Sequence, residues 1–210
     1  MGSQPGGARF NVPLRRELIG SHGKERGFRA LGRALVRRED LLLMKRLEVR
    51  LLGGFQVLRD GCLVPHEVWQ HRRGAELVKV LALAREHWLH REQVIEALWP
   101  ELPYDSALGN LHKAAHFARR AIGESDAVVV HGGRISLAPG AAVTTDVERF
   151  EAENDPALYS GELLPEDRYA EWASEARERL RLAYFRSLRA RGRLEEVVAE
   201  NPRMRRHIAR

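Results

Sequence analysis

Cysteine is almost missing from the 210 residues: Cys62 stands alone, which excludes an intramolecular disulfide framework and a cysteine-built zinc finger. Long apolar runs are missing too. No stretch approaches the roughly 18 residues needed to cross a bilayer, and no hydrophobic region with a cleavage site follows the basic N-terminus. These absences predict a cytoplasmic protein with no membrane partner. Lysine is scarce, four of 35 basic residues, a skew that reflects a GC-rich genome more than phosphate chemistry. Aromatics amount to 7%, yet hydrophobic residues reach 44%. That is enough for a folded core in one ordinary domain and a second small one.

Basic excess is also missing from most of the chain. Of the net charge of +6, residues 1–43 carry +5, with nine Arg/Lys against four Asp/Glu; the other 167 residues carry +1, with 26 against 25. Global charge is therefore weak evidence for a nucleic-acid partner. Residues 1–43 read as a flexible basic extension with a short helix over Phe28–Leu43. Met44 can serve as a start, which would make this segment an upstream extension; the rival reading is a basic arm on a DNA backbone.

What is present is a sequence of short elements. Leu47–Leu52 and Phe55–Arg59 are strand candidates, and the Asp60-Gly61 turn returns the chain into Leu63–Pro65. A first helix over Arg73–Glu86 carries an apolar stripe. His90 can cap a second helix, Arg91–Leu98, and Pro100 and Pro103 force a loop. Asp105 or Ser106 can cap a third helix that runs to Ile122 and stops at Gly123. A β-hairpin follows, Val128–Val130 and Arg134–Leu137 around His131-Gly132-Gly133. Strands, three helices and a terminal hairpin, in that order, describe a winged helix-turn-helix. Past Pro139-Gly140, a short helix over Asp146–Glu153, a long one over Asp167–Arg191 and a partner over Leu194–Glu200 are expected. They read either as one unit of a helical repeat or as a two-helix appendage.

The third helix is the informative one. On a helical wheel Leu108, Leu111, Ala115, Ala118 and Ile122 share one face. Opposite lie Gly109, Lys113, His116 and Arg120, flanked by His112, Phe117 and Arg119. Residues 106–122 contain three basic residues and two histidines but no Asp or Glu. A helix fits the major groove, which makes His112, Lys113 and His116 the candidates for base edges. Arg119 and Arg120, with Arg134 at the hairpin, are candidates for the backbone. A solvated basic face is the plain alternative, and the neighbouring hairpin favours the DNA reading. Phe117 is expected to pack.

Other constellations carry less. His112 and His116 lack further ligands for a metal. His66 and His71 are five apart, the wrong spacing for a zincin pair. Cys62 has no nearby activating histidine, Ser136 no nucleophile elbow, and the glycine pairs match no phosphate-binding loop. The reading is of a non-enzyme with no catalytic residues, metal or cofactor.

Three segments, Leu47–Asp60, Arg91–Pro100 and Ser106–Gly123, together resemble the OmpR-type winged helix of bacterial transcriptional activators of the antibiotic-regulatory-protein-like family. The resemblance continues into the bacterial transcriptional activator domain through Asp146–Phe150, Tyr159–Asp167 and Tyr169–Leu188. It implies an α+β fold: an OmpR-like winged helix-turn-helix at 44–139, followed by a short, truncated, tetratricopeptide-like helical module at 143–210. It also implies sequence-specific binding of double-stranded promoter DNA, often as a homodimer. The loop Pro100, Glu101, Leu102, Pro103, Tyr104 and Asp105 corresponds to the one that meets RNA polymerase. The missing further helical pairs weigh against activation, and a protein-interaction module on a winged-helix scaffold is the alternative.

Overall fold

The computed structural model describes residues 45–192; the extension 1–43 and the helix expected over Leu194–Glu200 lie outside them. The chain opens with alternating residues that form β1 (Arg46–Arg50), with Leu47 and Val49 inward and both arginines outward. Antiparallel β2 (Gln56–Arg59) and β3 (Cys62–Leu63) follow. Asp60 and Gly61 take φ of 50° and 81°, the left-handed pair that a two-residue hairpin turn needs. A strand that the sequence did not announce, β7 (Ala142–Thr145), lies parallel to β1, giving the order β3-β2-β1-β7.

Helix α1 spans Arg72–Leu83, ending before the expected Glu86. A 3-10 turn over Arg85–His87 intervenes, with Glu86 and His87 at φ of 58° and 57°. The chain then extends into β4 (Trp88–His90), which pairs with β6 (Arg134–Leu137) beside β5 (Val128–His131), so the second sheet runs β4-β6-β5. Helix α2 is Arg91–Leu98, and the backbone N–H of His90 donates to Gln93 Oε1 at 2.9 Å.

Helix α3 spans Tyr104–Ile122. Neither Asp105 nor Ser106 caps it, because helical bonding already starts at Pro103, whose carbonyl accepts from Ala107 N at 3.0 Å. Tyr104 and Asp105 therefore belong to the first helical turn and not to the loop, which is confined to 100–103. Gly123, at φ 81°, ends the helix as expected. Leu111, Ala115, Ala118 and Ile122 are buried with Ala107 and Ala114, while Leu108 is half-buried. α1 crosses α3 closely: a Cβ at Gly74 would lie 3.2 Å from both Ala118 N and Phe117 Cβ.

Helix α4 (Asp146–Glu153) begins with a capping box, Glu148 N donating to Thr145 Oγ1 and Thr145 N to Glu148 Oε2. The Asp146 carboxylate accepts from Leu51 N and Leu52 N at 2.9 Å each, tying α4 to the end of β1. The long helix expected over Asp167–Arg191 is shorter: α5 is Ser174–Ala190, preceded by 3-10 turns at Pro165–Asp167 and Glu171–Ala173. Arg177 explains the difference. Its guanidinium donates to the carbonyls of Leu163, Asp167 and Arg168 and so holds that segment out of helical form. Tyr169, which lies ahead of α5, is 94% exposed, whereas Leu180 and Leu188 within it are buried. Phe150, Leu163, Leu164 and Leu180 share one core with Leu51, Leu77, Leu111 and Ile135. The fold is α+β: a winged helix-turn-helix followed by a short helical, tetratricopeptide-like module.

Candidate nucleic-acid interface

Burying Leu111, Ala114, Ala115 and Ala118 against α1 leaves the opposite side of α3 in solvent. His112, Lys113, His116, Arg120 and Gly109 are all exposed, and no carboxylate pairs with Lys113 or Arg120 among the described residues. The acid-free stretch thus becomes a physical surface, a cationic ridge with two titratable imidazoles. Phe117 turns away from it and packs. Its ring stacks on His71, centroids 3.4 Å apart and 20° between planes, so it braces α3 against the segment that leads into α1. Arg120 stands at the edge of the shallow hollow that Trp69, Gln70, His71 and Phe117 line.

Arg119 is half-buried, and its Nε donates to Val128 O at 2.7 Å. It therefore fixes the end of α3 to the first strand of the hairpin. The hairpin turn places Gly132 and Gly133 at φ of 57° and 79°, and Arg91 N donates to Gly133 O at 2.7 Å. Arg134 lies exposed just past this turn, its guanidinium carbon 3.8 Å from the centre of the Trp88 ring. Trp88 in turn donates from Nε1 to Glu86 Oε2 at 3.2 Å. In the loop and first turn ahead of α3, Leu102 and Tyr104 are exposed, and the Arg91 guanidinium sits 5.6 Å from the Tyr104 ring. Of the residues selected by sequence, His112, Lys113, His116 and Arg120 come together on one face, Arg134 sits on the hairpin, and 100–105 forms the loop and first turn ahead of α3.

Two features escaped the sequence. One is the Trp88 platform under Arg134, which exists only because β4 joins the hairpin sheet; the aromatic Trp88-Leu89-His90 was a weak hint of a strand. The other is an ion cluster behind α1. Lys79, 5% exposed, donates to Asp167 at 2.5 Å and to Glu166 at 3.1 Å, while buried Glu76 accepts from Arg72 and Arg73. Burial raises the Asp146 carboxyl above its ordinary value against the pull of its Leu52 and Leu51 hydrogen bonds. Burial, with nearby Glu162, pushes the Tyr159 phenol to about 12. Among the described residues no group of three or more His, Cys, Asp or Glu could hold a metal ion. No helix there is long and apolar enough to cross a membrane.

No protein-family model matches the sequence, and no curated protein sequence matches it. Among solved structures the chain is similar to Mycobacterium tuberculosis EmbR in complex with a low-affinity phosphopeptide. The two are 22% identical with a TM-score of 0.57, over 79% of this chain and 52% of that one. The likeness is one of fold, and the chain spans about half the length of that relative.

Proposed function

We propose that this chain is a transcription regulator that binds double-stranded DNA with sequence preference, through binding alone and without catalysis or cofactor. In this reading the domain at 44–139 docks α3 in the major groove. His112, Lys113 and His116 meet base edges; Arg120, the terminal nitrogens of Arg119, and Arg134 meet the sugar–phosphate backbone. The loop and first turn at Pro100–Asp105 face RNA polymerase, and the helical module at 143–210 offers a surface to a second copy. Residues 1–43 add non-specific affinity, and the protein works in the cytoplasm. The reading places the chain with the OmpR-type, antibiotic-regulatory-protein-like regulators. One observation carries it: the exposed face of α3 holds cations that no carboxylate neutralises among the described residues, whose other cations are mostly ion-paired.

The test is titration of the full chain and of residues 44–210 into duplexes selected from genomic fragments and into scrambled controls, at physiological salt. Residues 44–210 should retain preference for the selected duplex, with affinity falling steeply as salt rises. Binding by the full chain only, without sequence preference, would return the affinity to the basic arm.

A second reading has an observation of its own. EmbR was solved with a phosphopeptide, a ligand of protein class, which favours a protein-interaction module on a winged-helix scaffold with little DNA specificity. Because the likeness covers 52% of EmbR, a phosphopeptide titration of this chain is the discriminating measurement. Saturable peptide binding with no duplex preference would select the second reading.

A further inference from the structure

We infer that Trp88 is a positioning residue that holds Arg134 flat for one phosphate of the flanking DNA backbone and keeps it out of the minor groove; this rests on the DNA-binding reading above. The argument begins with β4. Its pairing with β6 puts His90 opposite Arg134 and Trp88 opposite Ser136, so the Trp88 ring comes to lie diagonally under the Arg134 side chain. The guanidinium carbon is 3.8 Å from the ring centre, well inside the range of a cation–π contact. Trp88 is itself braced, by the Nε1 bond to Glu86 and by the edge of His90, 5.2 Å away centre to centre.

A guanidinium with one face on an indole keeps its N–H donors in their own plane, directed past the ring edge. That is the arrangement a phosphate can accept in bidentate fashion. Minor-groove insertion would require Arg134 to leave the ring. Two further observations oppose insertion. The hairpin has only Gly132 and Gly133 between its strands' last paired residues, His131 and Arg134, so little tip is available to penetrate. That tip is also fastened to the start of α2 by the Arg91 N to Gly133 O bond. Arg134 therefore sits on a short, pinned strand end beside an aromatic platform, and no carboxylate of the described residues competes for it.

The experiment is a double-mutant cycle in the full chain with Trp88→Leu, Arg134→Ala and both. Duplex binding is measured against salt on one selected site flanked by A·T or by G·C pairs. Arg134→Ala should weaken both duplexes alike, about tenfold, and reduce the salt slope by about 1. Trp88→Leu should cost about 2- to 5-fold in the same pattern, and add nothing when Arg134 is already alanine. Trp88→Phe, which keeps a ring face, should restore most of the loss. Without DNA, Arg134→Ala should shift the Trp88 indole N–H resonance; this keeps the stack testable if Trp88→Leu fails to fold, and an unmoved resonance overturns it. Additive losses in the cycle overturn the positioning role while leaving DNA binding intact. A loss confined to A·T flanks, where the groove is narrow, overturns the phosphate assignment. Failure of the wild-type chain to bind any duplex is a different result, and it removes the underlying reading itself.

Discussion

In the helical module Arg149, Arg168, Arg177, Arg179, Arg181 and Arg191 each pair with a glutamate or aspartate. On the solvent face of α3 and the hairpin, Lys113, Arg120 and Arg134 have no such partner among the described residues. Both regions are rich in cations, so density of arginine does not separate them. Interleaved acid does. Most of the module's cations, Arg186 and Arg189 excepted, are spent on its own glutamates and aspartates, whereas those on the solvent face of α3 and at the hairpin keep their charge for something outside the chain. If this distinction holds, charge removal in one region costs stability and in the other costs binding.

The largest effect belongs to the buried pair that ties the module to α1. Lys79→Met leaves the Asp167 carboxylate, 7% exposed, without its closest cation, with Glu166 beside it. Breaking such a pair on one side costs about 3–5 kcal/mol, measured as the loss of unfolding free energy in denaturant. Adding Asp167→Leu should recover much of it, since the buried charge then disappears. A loss below about 1 kcal/mol for the single change would mean that water reaches Asp167 and that the paired region is not the structural one.

Next comes the unpaired face. Lys113→Ala and His116→Ala should leave unfolding almost unchanged, because both side chains point into solvent. They should cost about 1–3 kcal/mol of discrimination between the selected and scrambled duplexes. Arg120→Ala should weaken both duplexes more evenly. Equal losses on both duplexes for Lys113→Ala would demote it from base reader to phosphate contact.

This face was legible in the sequence because helical periodicity is local: the spacing of Leu111, Ala115, Ala118 and Ile122 decides which side of α3 is buried before any partner is known. The same locality hid β4 and β7. Trp88–His90 and Ala142–Thr145 are too short to announce themselves, and each becomes a strand only by joining β6 or β1, far along the chain. The helix start misplaced at Asp167 has a similar cause, since Arg177 holds the preceding carbonyls through contacts that no periodicity encodes. Arg119 and Arg120 are neighbouring cations that the sequence does not distinguish, whereas in the fold Arg119 gives its Nε to Val128 O.

A smaller effect tests the joint between the regions by pH. The native Asp146 carboxyl is raised by burial, its hydrogen bonds to Leu52 and Leu51 notwithstanding. The folded chain therefore holds this proton more tightly than the unfolded chain. The stability this group contributes is full below the unfolded value of about 3.9 and is lost as pH rises through the raised native value. Wild type should accordingly gain stability relative to Asp146→Asn as pH falls through the carboxylate range, in paired denaturation curves. The opposite slope would show that the two backbone hydrogen bonds outweigh burial.

The smallest effect is the sharpest check on the comparison. Arg149 pairs with Glu153 one helical turn away at 3.1 Å, both side chains largely exposed. Exposed pairs at this spacing contribute about 0.3–0.5 kcal/mol, so Arg149→Ala should move the unfolding midpoint barely at all. It should also leave duplex affinity and its salt slope where they were, because that charge is already neutralised within α4. Arg120→Ala removes the same charge from the same chain, yet should lower the salt slope by about 1. Net charge is identical in the two variants, so a matching loss of affinity from Arg149→Ala would mean that overall charge drives binding. The neutralised and free cations would then be a distinction without functional consequence.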